Sequence, residues 1–260
     1  MESLGFSIQD LYRTLLIMFR TGALLMTVPV FGHVSIPRML RVWLVVMLAF
    51  MIMPSAAVSE IQLPATTIHL TMIILSELAI GFAMGFAVVI LFAAVQFTGH
   101  MIGLNMGLAV ANIIDPMSAG QISIIGEFYY LLSLLIFLLI DGHHQVIEAL
   151  VRSFELIPLG GGVFGAGLGE FIIRLTGNLF IIAVKLAAPV IITLFIVYIV
   201  LGIVARTVPQ MNVFIVGFPL AIGVGLIMIR FSLPIFKTVL ITAFKGLESD
   251  IATIIRLLQG

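Results

Sequence analysis

The sequence has no cysteine, one tryptophan and very little charge, with Asp, Glu, Lys and Arg making up 9% of its 260 residues. Without thiols there is no disulfide framework, no thiolate nucleophile and no cysteine-based metal site. A soluble domain typically carries about 25% charged residues, and 9% is too few to wet a soluble body of this size. Twelve basic residues balance twelve acidic ones. No basic patch therefore offers a surface to nucleic acid. The spacings that carry chemistry are also missing: there is no His-Glu-x-x-His, no Gly-x-Ser-x-Gly and no nucleophile beside a placed base. His33, His69 and His100 stand alone, while His143 and His144 adjoin Asp141, with Glu148 four residues further on. No additional ligand is evident there, so neither a metal nor a cofactor is expected, and an enzyme is not expected. The glycine tract Gly160-Gly161-Gly162, continued by Gly165, Gly167 and Gly169, has no Lys-Ser/Thr ending. It reads as an exposed loop or hinge and not as a phosphate-binding loop.

What is present is apolar and arranged in long runs. Hydrophobic residues make up 62% of the chain, and the mean hydropathy is +1.30. No Asp, Glu, Lys or Arg occurs from Leu78 to Ile114, from Leu186 to Ala205 or from Thr207 to Ile229. About 20 apolar residues are enough for a helix to cross a bilayer core. The expected fold is all-α: one polytopic membrane domain over residues 1–260 with about six apolar helical blocks. These run roughly over 11–31, 42–58, 68–97, 122–140, 171–204 and 211–231. The first is read as a retained membrane segment, because residues 1–10 carry Glu2 and Asp10 and no basic stretch. Loops are expected at 35–38, at 54–64 and from Asp141 to Pro158. An amphipathic tail, 237–258, places Leu247, Ile251, Ile254, Ile255 and Leu258 at helical spacing. Arg38, Arg41, Arg152 and Arg206 fall near the ends of different blocks and assign no orientation.

Block three contains Glu77, Gly81 and Gly85 on one face, and Gly99, Gly103 and Gly107 repeat the four-residue spacing. Small residues at every fourth position let helix backbones approach closely in a membrane. Glu77 shares that face, and a carboxylate at membrane depth needs a protein partner or a wet cavity. An ion-coupling site, a contact to a partner subunit and a water-facing position at the membrane boundary all remain open for it. Pro29, Pro189, Pro209, Pro219 and Pro234 interrupt apolar stretches. A proline removes a backbone donor, so broken or kinked helices are expected. Such breaks survive at membrane depth only against protein or a cavity. The segment 107–121, with Gly107, Asn112, Asp115, Pro116 and Gln121, combines loop chemistry with a small, apolar composition. It reads either as a plug packed into a cavity or as a buried connector. On residues alone, a protein-conducting pore subunit and an ion or solute secondary transporter are both open. Charges within the blocks are few and no clear internal repeat is evident, which weighs against the transporter.

The stretch from Ala205 to Leu220 contains Arg206, then Pro209-Gln210-Met211-Asn212-Val213-Phe214, then Gly217-Phe218-Pro219. It resembles the signature of the FliR family of flagellar biosynthetic proteins, which is grouped with the export-gate subunits of virulence type III secretion systems. Gly103-Leu104-Asn105-Met106-Gly107 followed by Asp115-Pro116 is a second match. Glu77-x-x-x-Gly81, Ile36-Pro37-Arg38 and Leu156-Ile157-Pro158-Leu159-Gly160 are weaker ones. The resemblance extends over nearly the whole chain. It implies a helical-hairpin export-gate subunit in the bacterial inner membrane, at the flagellar basal body. The implied partners are FliP and FliQ, with FlhB and FlhA alongside, membrane lipid, and the unfolded flagellar subunits that pass through. The segment 107–121 would be the plug that closes the resting pore, and the chain would carry out no chemistry. A virulence export gate is the neighbouring alternative.

Overall fold

The computed structural model describes residues 8–54, 66–108, 123–210 and 212–259, the Phe214 side chain excepted. The described residues form eight helices and no strand. They are α1 (Ile8–Thr27), α2 (Pro29–Gly32), α3 (Arg38–Ile52), α4 (Thr67–Asn105), α5 (Ile124–Leu139), α6 (Gly142–Leu156), α7 (Ala166–Thr207) and α8 (Val213–Gln259). The chain divides into two compact units. The first comprises Met1–Ile90, Asp141–Thr176 and Phe244–Gly260; the second comprises Leu91–Ile140 and Gly177–Ala243.

In the first unit, α1 buries Leu16, Ile17, Arg20, Ala23 and Leu24, positions three and four residues apart that share one helical face. That helix packs on α3, which turns Val45, Ala49 and Ile52 inward and leaves Met39, Trp43, Met47 and Phe50 exposed. Helix α6 buries Val146, Leu150 and Phe154 along one stripe. The end of α8 buries Phe244, Leu247, Ile251, Ile254, Ile255 and Leu258. Two hydrogen bonds fasten that end: Val163 N donates to Leu258 O at 2.9 Å, and Gln259 Nε2 donates to Leu156 O at 3.0 Å.

The second unit is held by aromatic edges and one buried hydroxyl. Phe92 meets Tyr130 and Phe137 edge-on at centroid distances of 5.8 and 5.6 Å. Tyr129 lies against Phe236 at 4.7 Å. Thr98 Oγ1, fully buried, donates to Ala94 O in its own helix and reaches Ala183 O on α7 at 3.3 Å. Both acceptors are within the chain, so the hydroxyl is satisfied without water.

The all-α membrane architecture is as the sequence predicts, with differences in detail. Among the described residues three helices, α4, α7 and α8, are long and apolar enough to cross a bilayer, with a fourth crossing if α5 and α6 together form one. By the same measure of length and composition, the described helices of the first two blocks do not qualify. Helix α3 has 15 residues, short of the ~20 a span needs, and α1 carries Asp10, Arg13 and Arg20. The segment Asp141 to Pro158, expected as a loop, contains the 15-residue helix α6. Its polar residues alternate with the buried stripe, so a block average conceals an amphipathic helix. The tract from Gly165 to Gly169 leads into and begins α7. The segment 237–258 continues α8 without a break. Of the five prolines, Pro29 opens α2 and Pro209 lies in the turn between α7 and α8. Pro189, Pro219 and Pro234 sit inside helices. Each removes one ladder bond, and helices of 42 and 47 residues continue through the loss.

Candidate functional site

In the first unit, the central polar feature is a sealed ion pair between α1 and α4. Arg20 Nε donates to Glu77 Oε2 at 2.7 Å and Nη2 donates to Oε1 at 3.2 Å, with both side chains fully buried. Two parallel bonds from a guanidinium fork to a carboxylate are the strong form of this contact. The other guanidinium hydrogens face the end of α6. Nη1 donates to Ser153 O at 2.9 Å, and Nη1 and Nη2 both reach Ile157 O at 3.3 Å. Those carbonyls belong to a helix C-terminus, where acceptors are left over and the helix dipole favours a cation. The Phe154 ring lies 4.3 Å from Arg20 Cζ and adds a cation–π face. Glu77 Oε1 takes one more donor, Gly160 N at 2.7 Å. Gly160 has φ +76°, a conformation that favours glycine. One charge pair thus ties α1, α4, the end of α6 and the turn that follows it.

The glycine rows expected from sequence lie at helix contacts. A methyl group on Gly81 would fall 2.8 Å from Ala23 Cβ, and one on Gly85 would fall 2.7 Å from Thr27 Cβ, both on α1. In the second unit, a methyl on Gly99 would lie 2.6 Å from Gly126 N, and one on Gly103 would lie 2.9 Å from Ser123 Oγ. Such distances are sub-contact, so only hydrogen fits. Both rows serve packing within the chain.

Helix α4 ends in the second unit at a Schellman motif. Leu108 N donates to Gly103 O at 3.1 Å and Gly107 N donates to Leu104 O at 3.0 Å, with Gly107 at φ +80°. Tyr198 Oη on α7 donates to Asn105 O, one of the carbonyls the helix end leaves over. Met106 is fully buried and lies across Gly225 of α8; a methyl there would sit 2.7 Å from Met106 Cγ. The Phe218 ring covers Gly107, with Cδ1 and Cε1 2.5 and 2.8 Å from where a Cβ would stand. Residues 109–122 lie outside the described residues, among them Asn112, Asp115, Pro116 and Gln121. The chain resumes at Ser123, which caps α5 by accepting from Gly126 N at 3.1 Å and donates to Gly99 O at 3.3 Å. Ser123 also borders a cleft lined by Ala93, Gln96, Phe97, His100 and Glu127.

The signature residues surround the turn between α7 and α8. Arg206 lies in the last turn of α7, where a cation complements the helix dipole. Pro209 and Gln210 are exposed in the turn itself. Asn212 begins α8: Ile215 N donates to its backbone O at 3.1 Å and reaches its Oδ1 at 3.4 Å, the position of an N-cap. Phe214 occupies the first turn of α8. Gly217 is buried 3.3 Å from Leu201 Cδ1, measured from a built Cβ, and Pro219 follows within the helix. Elsewhere, on the surface of the first unit, Asp141, His143 and His144 bring ligand-type atoms within 4.8 Å of one another. His144 Nδ1 lies 3.2 Å from Asp141 Oδ1, with both residues well exposed.

Sequence reasoning picked out Glu77 but not its partner. The available signal was Arg20, the deeper of two arginines in the first apolar block, and a single carboxylate within the third, charges that membrane depth would bring together. Tyr198 was also missed. One tyrosine in a charge-free apolar run has a hydroxyl to satisfy, but nothing in its spacing points to Asn105.

The helices and buried polar contacts describe a polytopic helical membrane protein whose internal charges serve its own architecture. The chain belongs to the family of bacterial export proteins, family 1, whose model matches residues 11–247. It is 35% identical over 249 residues to the flagellar biosynthetic protein FliR of Bacillus subtilis (strain 168), covering 92% of this chain and 93% of that protein. It is 30% identical over 238 residues to the protein of the same name from Escherichia coli (strain K12), at 92% and 90% coverage. With that of Aquifex aeolicus (strain VF5) it shares 32% over 231 residues, at 89% of each chain.

Proposed function

We propose that this chain is a core subunit of the flagellar type III export gate. In this reading it forms part of the protein-conducting pore with FliP- and FliQ-like proteins, beside FlhB- and FlhA-like ones. It sits in the bacterial inner membrane at the flagellar basal body. Unfolded flagellar subunits pass through the assembly, and the chain itself performs no chemical step. The observation that carries this reading is the similarity to flagellar relatives over about nine-tenths of the chain. The exposed apolar faces support it too. Ile192, Phe195, Ile196, Ile199 and Ile203 on α7 are all open, as suits a helix that meets lipid or neighbouring subunits. A transporter would use Glu77 to carry an ion. Here that carboxylate is closed by Arg20 and Gly160 N, and opening it would leave a buried guanidinium unpaired.

The segment 107–121 is assigned as the plug of the resting pore. Support comes from its apolar, loop-forming composition and from the fastening of both flanks on one stretch of α4. The test of the whole reading is a chromosomal deletion combined with a tagged, complementing copy. The deletion strain should lack filaments while solute uptake is unchanged, and the tagged chain should co-purify with FliP- and FliQ-like proteins. Normal swimming in the deletion strain would overturn the proposal.

A further inference from the structure

Helix α3 has two unlike faces. Val45, Ala49 and Ile52 turn inward, on a helix packed against α1. On the outer side Met39, Leu40, Trp43, Met47, Phe50 and Met51 are exposed, and the indole N–H is the one polar group among their side chains. Spacings of three and four residues make them a single stripe, about 18 Å long.

The cations gather at one end of that stripe. From Leu11 to Ser59 the chain has four arginines and no carboxylate. Arg20 is sealed against Glu77. Arg13 adjoins Thr14, whose hydroxyl reaches Met53 Sδ at 3.6 Å, at the far end of the α1–α3 hairpin. Arg38 and Arg41 lie in the first turns of α3. Arg38 is exposed and has no hydrogen bond or ion pair to any described residue. Arg41 Nε and Nη2 donate to Ile36 O at 3.2 and 3.0 Å, which fixes the guanidinium without supplying a counter-charge. The helix itself gives no reason for either charge, because its dipole disfavours cations at an N-terminus. Trp43, 68% exposed, follows a little over one turn after Arg38 and is the only tryptophan in the chain. Cations at the rim, an indole next and an apolar stripe beyond follow the order in which a bilayer passes from headgroup to acyl chain.

We infer that this end of α3 is a binding surface for an anionic phospholipid. Arg38 and Arg41 hold the headgroup phosphate, Trp43 lies just below it, and the stripe from Met47 to Met51 runs along the acyl chains. Charge complementarity selects this occupant. Two cations uncompensated among the described residues match a headgroup of net negative charge, and the stripe offers almost nothing to the polar groups of a protein partner. The site needs only a bilayer and stands apart from the export-gate reading.

The test uses the purified full-length chain in phosphatidylcholine bilayers that contain a minor fraction of phosphatidylglycerol. Bromine, which quenches a nearby indole, is placed on the acyl chains of one lipid at a time at equal mole fraction, and the sole tryptophan reports this surface alone. One cation at a charged membrane surface is worth about a fivefold preference. Brominated phosphatidylglycerol should therefore quench Trp43 as if enriched about fivefold or more over brominated phosphatidylcholine. Arg38→Gln should lower that enrichment several-fold, and raised salt should weaken it too. Arg38→Lys keeps the charge and should retain most of it. Equal quenching by the two lipids would overturn the headgroup site, as would an enrichment unchanged in Arg38→Gln. No quenching by either lipid would mean that protein, such as a second copy of the chain, covers the stripe, and the lipid assignment would fall.

Discussion

Gly99 of α4 and Gly126 of α5 bring two backbones into contact, close enough that a methyl on Gly99 would lie 2.6 Å from Gly126 N and 2.7 Å from Ile125 O. Backbone atoms cannot step aside as a flexible side chain can. Gly99→Val should therefore destabilise by about 1–3 kcal/mol or prevent accumulation. The control lies in the same chain, because nothing lies within 4 Å of a Cβ built on Gly177 or Gly246, both inside helices. Gly177→Ala and Gly246→Ala should be neutral or stabilising by about 0.5–1 kcal/mol. Thermal unfolding of the purified protein in detergent reads both. Equal losses at positions 99 and 246 would refute the packing account.

Arg20 and Glu77 should behave as one unit. Removing either alone leaves a buried, unpaired charge, and breaking such a pair typically loses about 3–5 kcal/mol. Glu77→Ala and Arg20→Ala are each expected to lower membrane accumulation severely. An apolar double replacement, Arg20→Met with Glu77→Leu, should recover much of the loss, because no orphan charge remains. A double-mutant cycle measures this directly. Simple additivity of the two single losses would show that the charges are not coupled.

Shortening the segment 107–121 should make membranes containing the assembled gate permeable to ions and small solutes. Conductance across bilayers holding the purified complex checks this. Unchanged conductance with normal assembly would rule out a plug.

Ser123 has two roles that chemistry can separate. Ser123→Ala loses the cap and the bond to Gly99 O, and a lost N-cap costs about 1 kcal/mol. Ser123→Asp keeps a capping acceptor but has no donor for Gly99 O when ionised. Alanine should thus be less stable than aspartate at the cap. Both should loosen the contact of Ser123 with α4, read as faster amide hydrogen exchange at the start of α5. Fast exchange in the alanine variant with slow exchange in the aspartate variant would leave the cap as the only role of Ser123.

Sequence patterning located most helices because a membrane chain writes burial as long charge-free runs, as from Leu78 to Ile114. It also pointed to Gly81, Gly85, Gly99 and Gly103 as close contacts, since a four-residue spacing projects to one helical face. It failed where periodicity carries no partner information. Helix α6 was hidden by its own polar face, and the sealed state of Glu77 depends on Arg20, Ser153 and Ile157, up to 80 positions away. The internal prolines show the limit of local rules. Pro189 and Pro234 read as interruptions, yet each sits within a helix long enough to absorb one missing bond.

The distance between Arg20 and Glu77 along the chain sets an order of events during synthesis. The arginine emerges 57 residues before its carboxylate. At ~5–20 residues per second, that is a wait of about 3–11 s. Through that interval α1 carries a cation that lipid does not welcome. Its carboxylate partner arrives only with α4, and the acceptors at the end of α6 follow later still. A charge pair that looks static in the finished molecule is, for the nascent chain, a clock.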